Sequence, residues 1–207
     1  MDDFPPLVAR ARRLATQAGF PLTRQEAAGT GPSASLPGVG RFLAMLAADC
    51  AGGRIGEMGT GVGIGTAWMA STMPADCTLI TAEIDQERAE AARKLLAEDR
   101  RVEVVTGDSA VVLSGRGPFD LLFCDGGGGD YAGLVGLVRV GGRIVMDDVT
   151  PQKALPADSP LRGNDPKRRF FFGDPRLVSV EVVLPDLENS LLVGTRITQL
   201  PCGAGGR

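Results

Sequence analysis

The chain has 207 residues, a formal net charge of −3 and no histidine, a length that suits one domain with a full hydrophobic core. The lack of histidine excludes a Ser-His-Asp or Cys-His triad and any zinc site built on imidazole, which leaves proton transfer to Asp, Glu, Lys, Tyr or Cys. The mildly acidic balance argues against bulk nucleic-acid binding, and Cys50, Cys77, Cys124 and Cys202 stand in no CxxC spacing, which argues against a thiolate zinc cluster or redox dithiol.

In chain order, the opening MDDFPP is acidic and no apolar stretch follows it, so no signal peptide is expected. No apolar run approaches the roughly 18–20 residues of a membrane span. A cytoplasmic domain with no membrane partner is expected. Residues 5–19 place Leu7, Ala11, Leu14, Ala15 and Ala18 on one helical face. Residues 22–37 carry Thr, Gly, Pro and Ser and read as a loop; a second helix is expected over 38–49. A regular alternation follows: strand 54–59, helix 66–72, strand 77–85, helix 86–100 capped by Asp85, strands 101–108 and 119–125, helix 130–139, strand 142–148. Such repetition with short loops predicts a mostly parallel α/β sheet covered on both faces. Residues 151–176 are Pro-rich, polar and locally basic, with Arg168-Arg169 beside three phenylalanines. This segment reads as a mobile loop with an apolar anchor in the core or a dimer interface; its arginines and phenylalanines could also meet an acidic or aromatic acceptor, or nucleic acid. Residues 176–184 and 190–198 read as an antiparallel strand pair closing the sheet edge. The whole is expected to be a single domain over 1–200, with N-terminal helices over about 1–50 and a frayed tail at 201–207.

The glycine-rich turn Glu57-Met-Gly59-Thr-Gly61-Val-Gly63-Ile-Gly65-Thr66 carries the most information. It follows a strand and opens a helix, at the end of the sheet where open α/β folds bind ligands. Neither register completes G-x-G-x-x-G, because Ile64 and Thr66 occupy the last position, which weakens a dinucleotide reading. Glu57 inside the turn sits poorly with pyrophosphate. It suits the amino group and sulfonium of S-adenosylmethionine. Glu83, at the end of the second strand, is where an acid binds a ribose diol in either cofactor class. Asp108 and Ser109, at the end of the third, are candidates to border an adenine. Asp125, Asp147 and Asp148 end the fourth and fifth strands. Three carboxylates converging there would call for a divalent cation such as Mg²⁺.

The series GEMGTGVGIGTAWMA, LITAEID, VVTGDS, FDLLFCD and LVRVGGRIVMDDV, with the late DPRL…VLP…SLLVGTRI pattern, resembles the class I S-adenosylmethionine-dependent methyltransferases. More narrowly, it resembles the catechol O-methyltransferase-like small O-methyltransferases. The resemblance implies a Rossmann-like, doubly wound, seven-stranded sheet with an antiparallel C-terminal pair. It places the cofactor against Glu57, Gly59, Gly61, Gly63, Gly65, Thr66, Glu83, Ile84, Asp108, Ser109 and Asp125, with the Ser35-Leu36-Pro37 turn closing over it. It makes Asp125, Asp147 and Asp148 the catalytic and metal-holding set, acting on a small hydroxylated, catechol-like acceptor in a protein that forms homodimers. Two departures stand out: Asp148 occupies an Asn position, and Gly128, within Gly126–Gly129, occupies the position of a basic lysine. The base would then be a metal-bound hydroxide, Asp147, Asp148, Lys153 or Lys167. A metal-independent methyltransferase with another acceptor, and an inactive cofactor-binding module, are the competing expectations.

Overall fold

The alternating pattern closes into one seven-stranded sheet. The computed structural model describes residues 4–23, 25–26, 32–125, 131–184 and 189–198. The strands are β1 (Arg54–Met58), β2 (Thr78–Glu83), β3 (Val102–Thr106), β4 (Phe119–Cys124), β5 (Val138–Val149), β6 (Leu177–Val183) and β7 (Ser190–Arg196). Their order is β3-β2-β1-β4-β5-β7-β6. The first five run parallel, and β7 is antiparallel to both β5 and β6. The doubly wound sheet with an antiparallel C-terminal pair is therefore present. The order turns back on itself between β1 and β4, the switch point at which a ligand crevice opens.

Among the described residues seven helices accompany the strands: α1 (Pro6–Gln17), α2 (Pro37–Ala47), α3 (Ile64–Ala70), α4 (Gln86–Leu96), α5 (Ser109–Leu113), α6 (Tyr131–Leu137) and α7 (Pro166–Gly173). Asp85 caps α4 by accepting from the Arg88 backbone N–H, and Arg93 and Lys94 lie in its last turn. The helix stops at Leu96, short of the expected 100, because Asp99 instead holds the backbone N–H and guanidinium of Arg101 in the turn into β3. Helix α6 is shorter than expected and β5 longer, starting at Val138. Two helices escaped the sequence reading. At five residues, α5 is too short to show a period. The expected loop over 151–176 contains α7, whose start signals, Asp165 as N-cap and Pro166 in the first turn, are masked by the proline-rich composition around them.

Strand β4 shows why both faces of the sheet are covered. Leu121 and Phe123 point to one side, where they join Leu43 of α2 and Met69 of α3. Leu122 and Cys124 point to the other, where they join Leu134 and Val135 of α6 and Phe171 of α7. This is the period of two expected of a strand buried on both faces. Trp68 and Met69 of α3 are core residues. Helix α2 reaches Trp68 through Gly40, where a Cβ would lie 2.1 Å from the indole Nε1. Among the described residues no helix is long and apolar enough to cross a membrane. The tail at 201–207 lies outside the described residues.

Candidate active site

The glycine turn is fixed by its neighbours on both sides. The backbone N–H groups of Gly59 and Thr60 donate to Ala82 O of β2, and Asp125 N donates to Met58 O. Gly59, Gly61 and Gly63 adopt φ of 91°, 54° and 92°, values that favour glycine. At Gly59 the demand is also steric, since a Cβ there would lie 1.9 Å from the Asp125 carbonyl oxygen. A Gly59→Ala variant is expected to lose about 3 kcal/mol or more of stability in urea unfolding. Gly115→Ala, which has a positive φ but no neighbour within 4 Å, should lose only about 1 kcal/mol. Equal losses would remove the packing argument.

Glu57 lies beneath the turn, 1% exposed. Its Oε2 accepts from Thr66 Oγ1 at 2.5 Å, while its Oε1 is buried with no hydrogen-bond partner. Gly65 leaves that oxygen its room, because a Cβ there would approach Oε1 to 2.7 Å. Burial, partly offset by the Thr66 and Thr81 hydroxyls, pushes the carboxyl up from 4.5 to about 7. A buried acceptor left unpaired is costly, and a cationic donor entering the turn would satisfy it. A small cleft opens at this turn, lined by Thr60, Gly61, Asp125, Phe20 and Ser35. The Ser35 segment thus covers the turn.

Glu83 ends β2 almost fully buried. Its Oε2 accepts from Gly61 N at 2.8 Å. Its Oε1 accepts from Asp85 N and from Arg88 Nε and Nη2. The carboxylate is therefore held rigidly at the turn, and Arg88, which the sequence reading did not single out, is the residue that holds it. Ile84 is 71% exposed beside it, an apolar surface open to a flat ring. Asp108 accepts from the backbone N–H groups of Ala110 and Val111 and so caps α5, which begins at Ser109. Thr66 spends its hydroxyl on Glu57 rather than reaching outward.

The acidic residues meet at the ends of β4 and β5. Burial raises the Asp125 carboxyl well above its ordinary range; Asp147, Asp148 and Glu57 raise it further, and a 3.3 Å hydrogen bond from Ser35 Oγ opposes the rise. Asp147 is buried; its Oδ1 accepts from Asn189 Nδ2 at 2.6 Å and from Asp148 N at 2.7 Å. The register between β5 and β7 slips between Met146 and Val149, and this bulge turns Asp148 to the surface with φ of 58°, the one non-glycine positive value among the described residues. Asp and Asn are the side chains that best tolerate that conformation, which accounts physically for an Asp where the resemblance expects Asn. The three carboxylates share an electrostatic neighbourhood, but among the described residues no group of three acidic or thiol side chains is gathered to hold a metal. The expected ligands Asp125, Asp147 and Asp148 thus lie at one end of the sheet, with Asp147 tied to Asn189 and Asp148 exposed on the bulge. Their oxygen-donor chemistry still suits a hard cation.

The basic segment is consumed internally. Arg168 is buried and pairs with Asp165 Oδ2 at 2.7 Å and with Glu181 through Nε and Nη2 at 2.9 and 2.6 Å; it also donates to Thr150 O. Arg176 pairs with Asp174. Phe171 anchors α7 in the core, and Phe170 stacks on Tyr131 at 5.7 Å. Lys153 is exposed, whereas Lys167 Nζ donates to the carbonyls of Asp147 and Asp148. Gly128 falls outside the described residues. Asn189 was missed because its partner lies 42 residues away, and Arg88 because the turn between β2 and α4, not helical spacing, brings it to Glu83; the pairing of Arg168 with Glu181 of β6 likewise leaves no trace in the sequence.

The family profile described as O-methyltransferase matches residues 28–162. A catechol O-methyltransferase of Niastella koreensis is 35% identical over 149 residues, which are 65% of this chain and 66% of that protein. A probable O-methyltransferase of Mycobacterium tuberculosis is 33% identical over 133 residues, 59% of each chain. The chain thus spans under two thirds of the length of these curated relatives. Among solved structures, an O-methyltransferase of Streptomyces achromogenes involved in tomaymycin synthesis, in complex with S-adenosylmethionine, superposes with a TM-score of 0.72 at 26% identity, covering 95% of this chain and 92% of that one.

Proposed function

The chain belongs to the O-methyltransferase family, and from that membership we propose that it transfers the methyl group of S-adenosylmethionine to a hydroxyl oxygen of a small aromatic acceptor. The observation that carries this reading is the unpartnered Oε1 of Glu57 beneath the glycine turn, a buried acceptor suited to the cofactor's cationic methionine end. Gly59, Gly61 and Gly63 let the backbone approach the cofactor. Glu83 takes the ribose diol, Ile84 covers the adenine, and Asp108 and Ser109 border it. The acceptor hydroxyl releases its proton to water and its oxygen attacks the methyl carbon; the carbon–sulfur bond breaks, its electron pair stays on sulfur, and S-adenosylhomocysteine is left. The protein contributes position and charge to this displacement. A divalent cation, if held by Asp125, Asp147 and Asp148, would acidify the acceptor hydroxyl. The stacked Tyr131–Phe170 pair beside this end of the sheet, and the likeness to a protein named catechol O-methyltransferase, support an aromatic, catechol-like acceptor. The internal pairing of Arg168 and Arg176 supports a small molecule over nucleic acid.

Metal-independent transfer is the second reading, motivated by Asp148 at the position of an Asn and Gly128 at that of a basic lysine. Calorimetry with S-adenosylhomocysteine should give micromolar binding to the wild-type protein, weakened in Asp125→Ala. The absence of binding to folded protein would end the methyltransferase reading. A Mg²⁺ titration of the loaded protein then separates the two forms: heat lost on chelation and in Asp125→Ala supports the metal, and no heat supports the second.

A further inference from the structure

Helix α7 is fixed in place before it does anything else. Arg168 ties it to Glu181 of β6 and to the Thr150 carbonyl just past β5, and Phe171 buries its apolar face. The residue this presents to the acidic end of the sheet is Lys167. Its Nζ lies 2.9 Å from Asp147 O and 3.2 Å from Asp148 O. An ammonium has three protons, and among the described residues these two carbonyls take two of them. Its charge also reaches Cys124 at the end of β4, where it opposes the rise that burial imposes on the thiol. A cation therefore stands between the ends of β4 and β5, one turn of α7 away from Phe170 and its stacking partner Tyr131. Carbonyl oxygens at a strand end are satisfied equally well by water, and ordering a lysine side chain for them alone is entropically unfavourable. An anionic group on an aromatic ring would find both its charge partner and its stacking surface here.

We propose that Lys167 determines acceptor specificity: its third proton is donated to an ionised oxygen of an aromatic acceptor, so that the site selects phenolate-type acceptors. The inference rests on the methyl-transfer reading above. Its test uses 4-nitrophenol, whose yellow colour reports the phenolate, added to protein loaded with S-adenosylhomocysteine in buffer containing a chelator. The wild-type protein should bind the phenolate and shift its ionisation to lower pH. Lys167→Met should bind it about tenfold more weakly and lose the colour shift, with unchanged affinity for S-adenosylhomocysteine. Lys167→Arg should retain both. Arg169→Met, which removes an exposed charge from the same helix, should behave as wild type. The proposal is overturned if Lys167→Met binds the phenolate as wild type does, if loaded wild-type protein shows no colour shift, or if Lys167→Met loses S-adenosylhomocysteine in equal measure. Failure of the wild-type protein to bind S-adenosylhomocysteine at all sinks the methyl-transfer reading, and this proposal with it.

Discussion

A Glu57→Gln variant is expected to be more stable than the wild-type protein at pH 8 and yet to bind S-adenosylhomocysteine at least tenfold more weakly. The folded-state carboxyl titrates near 7, against 4.5 when unperturbed. Below about pH 4.5 Glu57 is protonated in both folded and unfolded chains and has no pH-linked effect. Between those values the unfolded chain releases its proton first, so stability falls as pH rises, by about 3 kcal/mol in all. Glutamine removes this loss and keeps an oxygen for Thr66. Melting curves of the unliganded proteins at pH 5 and pH 8 should therefore diverge with rising pH, the variant being the flatter. Binding runs the other way. An amino group entering beneath the turn ionises Glu57, so affinity for the ligand should rise through about pH 7 in the wild type and stay level in the variant. Parallel melting curves, or undiminished affinity in the variant, would refute the assignment of Glu57 to the methionine end.

The second large effect concerns stability alone. In Arg168→Met, the Asp165 and Glu181 carboxylates lose the guanidinium they share. Arg168 is 6% exposed and Asp165 7%, so these are charges left without compensation in a poorly solvated place. Removing one partner of such a pair costs about 3–5 kcal/mol, or about 10 °C in melting temperature for a chain of this size. Glu181 is held below its usual range first by Arg168 and further by Ser190. Its contribution is thus complete above the unperturbed carboxylate range and is lost as pH falls through the lowered value. The gap between wild type and Arg168→Met should narrow as the pH drops below about 4. A double variant that also replaces Glu181 with Gln should recover part of the loss, because it removes one stranded charge. A gap under about 2 °C at neutral pH, or one that does not change with acidity, would contradict this account.

Much of the fold was legible because its signals are local. The glycine turn, the Asp85 cap and the run of β-branched strands each act within a few residues, and the strand order follows from short parallel connections. Helix α7 was not legible as a helix, because Asp165 and Pro166 lie among other acids and prolines that start nothing. In the candidate site, the turn and Glu83 could be placed by their position after strands. The state of Asp125, Asp147 and Asp148 could not. Their separation depends on a bulge and on Asn189, 42 residues beyond Asp147, and neither leaves a trace in periodicity. The sequence likewise could not show that the Arg168-Arg169 stretch, which looks like a basic patch, spends its central charge on Asp165 and Glu181.

The place of β7 has a consequence for the order of events at the ribosome. The strand beside β5 is the last of the seven to be synthesised, and it brings Asn189 to Asp147 and Ser190 to the Val149 carbonyl. While the nascent chain still ends before residue 189, β5 is an open sheet edge and Asp147 lacks its Asn189 donor. Folding from the N-terminal side can complete the glycine turn and the cleft around Glu57 early, but the acceptor end must wait for the final strand. The two halves of the site therefore mature at different times, with the cofactor half able to form first.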